Sequence, residues 1–395
     1  MKKILLFLLF SPLLMFSQSY LHQILILNEG YFDYSINQII VPPTIGSYDP
    51  VTEIYTTVDT ISGARFASDI IIAGDFFYVA ADNMLYKYDK NDYSVLCTQQ
   101  IDGIRNIAVW NDKIIATRGD YDNFTFMPVF FDSYVQLFNT SDLSFYSELD
   151  TISGPKWSTQ NMIINNDNLY VAINNAYEWG NEKGLIGVVD MTSFSYINEI
   201  DLGPDGKNPD NMLFDGSYIY TVNNKDWTGA SISKIDLFNS IGTTINMSQI
   251  STGCGTSCLR NGKINYQISG DVDLYEWDTQ NTPASGSALG FSQNFYTLSF
   301  DDLHNNLYAS STDHTSYGMI HIFDLNNNET SSFNCGVSPG KIVFDFRNPL
   351  FINSPQVSDL NSNIYDSFGR KIENDFSKLS QGFYIINQKK IFKSE

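Results

Sequence analysis

The sequence predicts an all-β fold: a seven-bladed β-propeller, closed by pairing of its N- and C-terminal strands and followed by a small β tail module. The clearest unit, Thr159 to Ile200, contains short apolar runs separated by clusters of Asn, Asp and Gly. Runs rich in Val, Ile, Tyr and Phe between such turns are typical of antiparallel strands. Units of roughly 40 to 50 residues, each with four such runs, favour a propeller over a sandwich.

The turn before the fourth strand of each unit supports the repeat. Consecutive copies of this turn are 40 to 51 residues apart, a variation that loops of different length on one face would produce. The copies lie at Asp49, Asp89, Asn139, Asp190, Asp236, Asp278 and Asp324. Seven copies predict seven blades.

The turn between the first and second strands explains how the ring closes. It occurs six times, in the segments that begin at residues 71, 108, 163, 213, 259 and 299. The first unit begins with a second strand, Ile24 to Leu27, whereas Lys341 to Phe346 is a first strand without a unit of its own. Pairing of these two segments would complete the first blade and leave no free sheet edge.

The two ends of the chain differ from the repeats. Residues 1–18 have Lys2 and Lys3, then an apolar run, then small and polar residues, as in a secretory signal peptide. The apolar run is shorter than the roughly 20 residues of a membrane span. We therefore expect a signal peptide at 1–18, the propeller at 19–350 and a separate β module at 356–395.

Charge and composition restrict the partners. The chain has 23 Lys and Arg against 44 Asp and Glu, a net charge of −21. Such a surface repels nucleic acid and anionic membranes, so we expect no nucleic-acid partner. No motif for a cofactor is present, and we predict none.

The four cysteines are too few to hold the fold together. Cys254 and Cys258 lie four residues apart in a Gly-containing segment, and a small disulfide between them is the favoured interpretation. The alternative is a metal or redox thiol pair. It is less favoured because the spacing is not C-x-x-C and no His is near in sequence. The states of Cys97 and Cys335 stay open.

Catalytic motifs are absent from the sequence. It contains no G-x-S-x-G, no phosphate-binding glycine loop and no H-E-x-x-H. Of the four histidines, only His314 and His321 are placed to share a site. The run Asp120 to Asn123 lacks the full spacing of a calcium loop. We therefore expect a protein that is not an enzyme, with a propeller lyase or hydrolase as the remaining alternative.

Aromatic and arginine residues are concentrated in the loops of one propeller face. The loops that join second to third strands open on the same face as those that join one blade to the next, and this face is the candidate ligand-binding surface. The alternative is that these side chains pack on one another and order the loops. The candidate ligand-binding residues are Arg65, Phe66, Arg105, Tyr121, Phe124, Trp157, Tyr177, Trp179, Trp227, His314 and Tyr317.

The tail resembles the C-terminal sorting domain of cargo of the type IX secretion system of Bacteroidetes. The matching segments are Ile364 to Asp366, Gly369 to Lys371, Leu379, Gly382 to Ile385 and Lys389 to Ile391. The usual Pro-Asn-Pro-like opening is reduced to Asn353 to Pro355. The resemblance implies export to the cell surface or medium by the type IX machinery.

The body resembles the YncE-like seven-bladed propellers of Bacteroidetes surface proteins. The resemblance rests on Ile26 to Gly30, the turn Ser47 to Pro50 and units such as Asp167 to Asn174. That group includes surface proteins that capture cobalamin and pass it to an outer-membrane transporter. It implies a non-enzymatic propeller that binds a small molecule, such as a cobamide, with such a transporter as partner. The alternative from the residues is a structural or adhesive module that binds a surface glycan or protein.

Overall fold

The computed structural model describes residues 19–225, 229–247, 256–268, 271–279, 286–348, 364–366, 369–372, 379, 382–386 and 389–393. The predicted signal peptide, residues 1–18, lies outside the described residues. In the part that is described every regular element is a β-strand. No helix there is long and apolar enough to cross a membrane. The all-β prediction is confirmed.

The strands of the first four blades, in chain order, are β1 (Tyr20–Asn28), β2 (Tyr31–Asp33), β3 (Gln38–Val41), β4 (Thr44–Asp49), β5 (Ile54–Thr60), β6 (Ala67–Ala73), β7 (Phe76–Ala81), β8 (Met84–Asp89), β9 (Val95–Gln100), β10 (Ile104–Trp110), β11 (Lys113–Arg118), β12 (Asp120–Tyr121), β13 (Pro128–Val129), β14 (Ser133–Asn139), β15 (Phe145–Asp150), β16 (Thr159–Asn165), β17 (Asn168–Ile173), β18 (Leu185–Asp190) and β19 (Ser195–Asp201). The remaining strands up to residue 347 are β20 (Pro209–Phe214), β21 (Tyr218–Asn223), β22 (Ala230–Asp236), β23 (Ile241–Met247), β24 (Ser257–Arg260), β25 (Lys263–Gln267), β26 (Leu274–Asp278), β27 (Ser287–Ala288), β28 (Leu298–Asp301), β29 (Asn306–Ser311), β30 (Tyr317–Phe323), β31 (Glu329–Val337) and β32 (Pro339–Arg347).

These strands form seven four-stranded sheets in the described part of residues 20–347, which fits the seven-bladed prediction. With the strands of each sheet given in the order in which they lie side by side, the sheets are β32-β1-β4-β5, β6 to β9, β10-β11-β14-β15, β16 to β19, β20 to β23, β24 to β27 and β28 to β31. We call them blades 1 to 7. The short hairpins β2-β3 and β12-β13 are insertions in the second-to-third-strand loops of blades 1 and 3.

Blade 1 is completed from both ends of the propeller sequence. Strand β32, which contains the predicted segment Lys341 to Phe346, lies next to β1. Two backbone hydrogen bonds extend this contact between the two ends of the propeller sequence, which we call the seam. Glu29 N–H donates to Ser338 O (2.8 Å) and Gly30 N–H donates to Val337 O (3.1 Å). The predicted closure is confirmed.

The repeated Asp before the fourth strand shapes the turn with its own side chain. Asp49 Oδ1 accepts the N–H of Val51 (2.8 Å), and Asp190 Oδ1 accepts that of Thr192 (2.8 Å). Such a bond, from a backbone N–H two residues ahead, replaces a backbone turn bond. It also lowers the pKa of Asp49 below its usual range. Because the turn depends on this Asp side chain, the repeat can be recognised in the sequence.

The apolar core lies between neighbouring blades. Between blades 1 and 2, Leu27 and Ile45 pack in one buried cluster with Phe77 and Tyr88, whose rings stack at 4.6 Å. Between blades 4 and 5, the corresponding cluster includes Ile186 and Ile219. Each fully buried side chain of this size contributes roughly 1.5–3 kcal/mol, so the blade faces are the main source of stability.

The predicted disulfide is not supported at Cys258. This residue lies on β24 with a free, buried thiol, packed with Leu274 and Phe295 between blades 6 and 7. Burial raises the pKa of the Cys258 thiol to about 12. Its expected partner, Cys254, lies outside the described residues. The sequence pattern missed that Cys258 belongs to a core-facing strand.

The tail forms a sheet of its own. Strands β33 (Ile364–Asp366), β34 (Lys371–Ile372), β35 (Gly382–Ile386) and β36 (Lys389–Lys393) are ordered β34-β33-β35-β36, all antiparallel. Ile364 and Tyr384 are its buried apolar pair. The prediction of a small β module after the propeller is confirmed.

Candidate ligand-binding site on the long-loop face

The two faces of the propeller carry loops of different length. Turns between first and second strands are short, such as residues 111–112 and 166–167. The second-to-third-strand connections are much longer in three blades: residues 29–43, 119–132 and 174–184. Because loops on a rigid scaffold are the usual carriers of binding residues, the long-loop face is the place to look for a site.

A cavity of about 450 Å³ opens on this face above blades 3, 4 and 5, and we call it the collar cavity. Four predicted residues line it, namely Arg105, Tyr121, Tyr177 and Trp179. The structure adds Tyr34, Phe126, Gln160, Asn174, Ala176, Asn208 and Asp210. Its volume and mixed lining are those of a small-molecule site.

Five of the lining residues are aromatic, and we call Tyr34, Tyr121, Phe126, Tyr177 and Trp179 the aromatic collar. Ring centroids lie 6.1 Å apart for Tyr34 and Tyr121, and 6.0 Å apart for Tyr121 and Tyr177. Burial, together with a hydrogen bond to Tyr34, raises the pKa of Tyr121. Trp179 is 82% exposed, so its ring is available for contact. The tyrosine rings of the collar therefore pack on one another, whereas the ring of Trp179 is exposed to solvent.

The close approach of the Gly119 backbone holds the ring of Tyr177 in position. A Cβ added to Gly119, which follows β11, would lie 2.6 Å from the Tyr177 ring and 2.8 Å from Cβ of Ser158. Any larger residue at this position would displace the ring, because contacts below 3 Å are not tolerated by packed side chains. Gly119 thus fixes one wall of the collar cavity.

Arg105 lies between two aromatic rings. Its guanidinium carbon is 4.9 Å from the centroid of Phe66 and 5.0 Å from that of Tyr177. Such contacts stabilise the cation by about 0.5–2 kcal/mol each and hold the planar group in one orientation. Arg105 is the second residue of β10 and lies in a strand, not in one of the loops where the candidate residues were expected.

Arg65 and Phe66 support the collar from outside the cavity lining. The Arg65 guanidinium bonds Asp82 and Asn123, and it donates to Asp120 Oδ2 (3.0 Å). These bonds tie the linker before β6 to hairpin β12-β13. Phe66 supplies one of the two aromatic rings that contact the Arg105 guanidinium.

The other predicted residues are dispersed. Phe124 is 76% exposed on hairpin β12-β13 and does not line the cavity. Trp157 is half-buried against the blade 3–4 core, with Lys183 Nζ 4.9 Å from its ring. His314 and Tyr317 belong to blade 7, where His314 packs edge-on against Tyr296. Trp227 lies outside the described residues.

The polar inner wall of the collar cavity was not predicted from the sequence. Gln160 and Asp210 lie at the starts of the first strands β16 and β20, and Asn208 lies just before β20. Asp210 Oδ2 accepts the Asn224 amide (3.2 Å). Gln160 Oε1 and Asn208 Nδ2 are buried and have no hydrogen-bond partner within the described part of the chain. Their position could have been predicted, because the residues that begin the first strand of each blade converge at the mouth of the central channel in a propeller.

A second, polar cavity of about 330 Å³ occupies the central channel, and we call it the channel cavity. First strands line it, and it shares Gln160 and Asp210 with the collar cavity. Neighbouring blades are cross-linked around it: Asn211 Nδ2 donates to Ser257 Oγ (2.8 Å), and Lys341 Nζ lies 3.3 Å from Asp69 Oδ1.

Glu29 is an acid of the channel cavity whose pKa is raised. It follows β1, and its Oε2 accepts the hydroxyl of Tyr296 (2.8 Å). Burial raises the pKa of Glu29 to about 7, while the Tyr296 bond and the charge of Arg105 oppose that shift. A carboxyl that titrates near neutral pH inside a cavity is a candidate functional group.

Blade 7 contains a hydrogen-bonded Ser–His–Glu chain. Ser311 Oγ lies 3.0 Å from His321 Nε2, and His321 Nδ1 lies 2.9 Å from Glu329 Oε1. His321 is buried, and Gln293 Nε2 also contacts its Nε2 (2.8 Å). A general base must reach a substrate proton. With its acceptor nitrogen occupied and its ring enclosed, His321 is better suited to joining blades 6 and 7 than to activating Ser311.

The comparisons with known proteins support the fold. The chain matches the solved structure of the Dos1 propeller with a TM-score of 0.52 at 12% identity, over 74% of this chain and 79% of that one. It matches a hypothetical selenium-binding protein from Sulfolobus tokodaii with a TM-score of 0.59 at 10% identity, over 81% and 93% of the two chains. No protein-family model matches the sequence, and no curated protein gives a significant match. At such low identity these similarities establish a β-propeller fold.

Proposed function

We propose that this protein is an exported, non-enzymatic β-propeller that binds a small organic ligand in the collar cavity. The observation that carries the proposal is the aromatic collar over a polar inner wall with buried, unpartnered amide atoms. A buried polar atom without a partner costs about 1–3 kcal/mol, and a ligand that supplies the missing bond recovers this energy. Aromatic walls with a few placed polar groups are the usual design of ligand pockets.

A cobamide is the ligand that the family resemblance suggests. It is planar, partly apolar and edged with amides, which suits aromatic rings beside Asn and Gln side chains. A whole cobamide is larger than the collar cavity, so only one edge would enter it and the rest would lie over the exposed ring of Trp179. Delivery to an outer-membrane transporter and export by the type IX machinery belong to the same proposal.

A second candidate function is adhesion to a surface glycan. The observation that favours it is the exposure of Trp179 and Phe124 beside the collar cavity. Sugars stack on exposed aromatic rings and bond the same amide and acid side chains. In that case the rim of the cavity, more than its interior, would carry the affinity.

Calorimetric titration of the purified protein with cyanocobalamin tests the first candidate. We expect saturable binding that weakens by about 1–2 kcal/mol in Trp179→Ala and in Tyr177→Ala, since these rings supply the contact area. Phe238→Ala is the matched control, because Phe238 is 95% exposed in a turn on the opposite face. Absence of binding to cyanocobalamin together with Trp179-dependent binding to a glycan array would favour adhesion.

A further inference from the structure

The inner end of the collar cavity, where it adjoins the channel cavity, is rich in hydrogen-bond acceptors. Gln160 and Asp210 belong to the walls of both cavities, and Glu29 and Asn106 line the channel cavity. Two of these side chains are carboxyls and two are amides. A ligand that passes the aromatic collar therefore meets oxygen atoms at its far end.

Two of the amide oxygens have no donor among the residues that the structure describes. Asn106 Oδ1 and Gln160 Oε1 are both buried without a hydrogen-bond partner in the described part of the chain. Asn106 is only 8% exposed, and it lines the channel cavity from the start of β10. Because the large majority of buried polar side-chain atoms in proteins are hydrogen-bonded, two unpartnered acceptors on residues that line one cavity point to a missing donor.

The charges at this end also favour a cation. Lys341 Nζ is engaged with Asp69 at 3.3 Å. Among the described residues that line the two cavities, the acids are Glu29 and Asp210, and the cation besides Lys341 is Arg105, whose position is fixed by the rings of Phe66 and Tyr177. When Glu29 is ionised, the inner end carries one more negative than positive charge.

We propose that the ligand carries a protonated amine that occupies this inner end, while its apolar body lies against the aromatic collar. An ammonium group offers three donors and no acceptor, which matches unpartnered oxygens and carboxylates. The collar rings add cation–π attraction along the entry path. Asn208 Nδ2, an unpartnered donor in the same cavity, suits a hydroxyl or carbonyl oxygen on the ligand body. This inference rests on the proposed ligand-binding function, with an amine ligand in place of the cobamide, which has no protonated amine.

The proposal makes binding depend on pH through Glu29. The groups that face its carboxyl are the Tyr296 hydroxyl, the Arg105 guanidinium and, along the channel cavity, Lys341 and Asp210. Since burial raises the pKa of Glu29 to about 7, the acid is largely protonated at pH 6. A bound cation favours the ionised form. Affinity therefore rises from about pH 6 to about pH 8, with release of a proton on binding below neutral pH.

The test uses the full chain and three probes with the same phenyl body: phenethylamine, 2-phenylethanol and phenylacetate. Binding is measured by calorimetry and by ligand-observed NMR at about pH 8. We expect phenethylamine to bind about tenfold more tightly than either of the other probes, because only it supplies a cationic donor. Glu29→Gln and Asp210→Asn should each reduce this preference about threefold or more. Glu148→Gln, on the outer strand β15, is the matched control and should leave it unchanged.

Each outcome separates the inference from the proposed function. Equal binding of phenethylamine and 2-phenylethanol to the wild type, or a preference that survives in both variants, would overturn the amine proposal. Binding of cyanocobalamin or a glycan at the collar, with no response to phenethylamine, would leave the proposed function standing and refute the amine. If no compound binds, both fail. Thermal unfolding of each variant shows whether the fold is retained. The affinity of Glu29→Gln for phenethylamine, measured from about pH 6 to about pH 8, tests the role of the Glu29 carboxyl, because the predicted rise should be lost in this variant.

Discussion

At the scale of single residues, Glu29 shows how the site and the fold make opposite demands. Its backbone N–H closes the ring by bonding Ser338 O, while its carboxyl is enclosed beside Tyr296 and the chain at Gly340. Enclosure disfavours the charged form, which raises the pKa. The folded protein therefore gives up stability at neutral pH to keep a carboxyl in the channel cavity.

Glu29→Gln should remove this cost. The unfolded chain releases the Glu29 proton near pH 4.5, whereas the folded protein holds it until about pH 7. Because the folded state binds more protons between these values, its stability falls as pH rises through that window and stays lower above it. We expect the Gln variant to be more stable than wild type by about 1–3 kcal/mol at pH 8, with little difference at pH 4 to 5. Urea unfolding at the two pH values measures this, and an equal difference at both would refute it.

At the scale of elements, strands and turns were predictable because their causes are local. Five of these turns are visible as a recurring Asp whose side chain accepts a nearby backbone N–H, namely those at Asp49, Asp89, Asp190, Asp236 and Asp324. The inner wall was not predictable in the same way. Asn106, Gln160 and Asp210 come from three blades and meet only after the ring has closed. Cys258 was misjudged for a similar reason, since its burial depends on blade 7 packing over β24.

The closing strand β32 should carry global stability. Ile342 is buried in the cluster that joins blade 1 to blade 7. Ile342→Ala should lower the free energy of unfolding by about 2–4 kcal/mol, because it removes buried methyl groups and leaves a cavity. Phe346→Ala, at an exposed position near the end of the same strand, should cost less than about 1 kcal/mol. Denaturant unfolding followed by fluorescence and circular dichroism should show one shifted transition. A normal midpoint in Ile342→Ala would argue that the seam is dispensable.

At the scale of the whole molecule, the propeller and the tail sheet are distinct units with distinct expected roles. One compact unit spans Leu21 to Phe346, and the four-stranded tail sheet follows in sequence. From the resemblance of the tail to a sorting domain we propose that it serves export, whereas the residues that line the collar cavity all belong to the propeller. This division predicts that processing at either end leaves the site intact.

Mass spectrometry of the protein recovered from its native host should reveal that processing. We expect a new N-terminus near Ser17 to Ser19, as signal-peptide removal requires, and loss of part or all of residues 356–395. Recovery of the intact tail on a periplasmic protein would refute the sorting role.

The central claim, that the long-loop face carries the ligand site, is tested most directly by hydrogen–deuterium exchange of the full chain with and without a bound probe. Saturation with cyanocobalamin or phenethylamine should slow exchange in hairpin β12-β13, in residues 174–184 and around residues 205–211, because a ligand in the collar cavity contacts these segments. The short turns of the opposite face, such as residues 90–94 and 191–194, should exchange at unchanged rates. Protection confined to those turns, or to the tail sheet, would contradict the account.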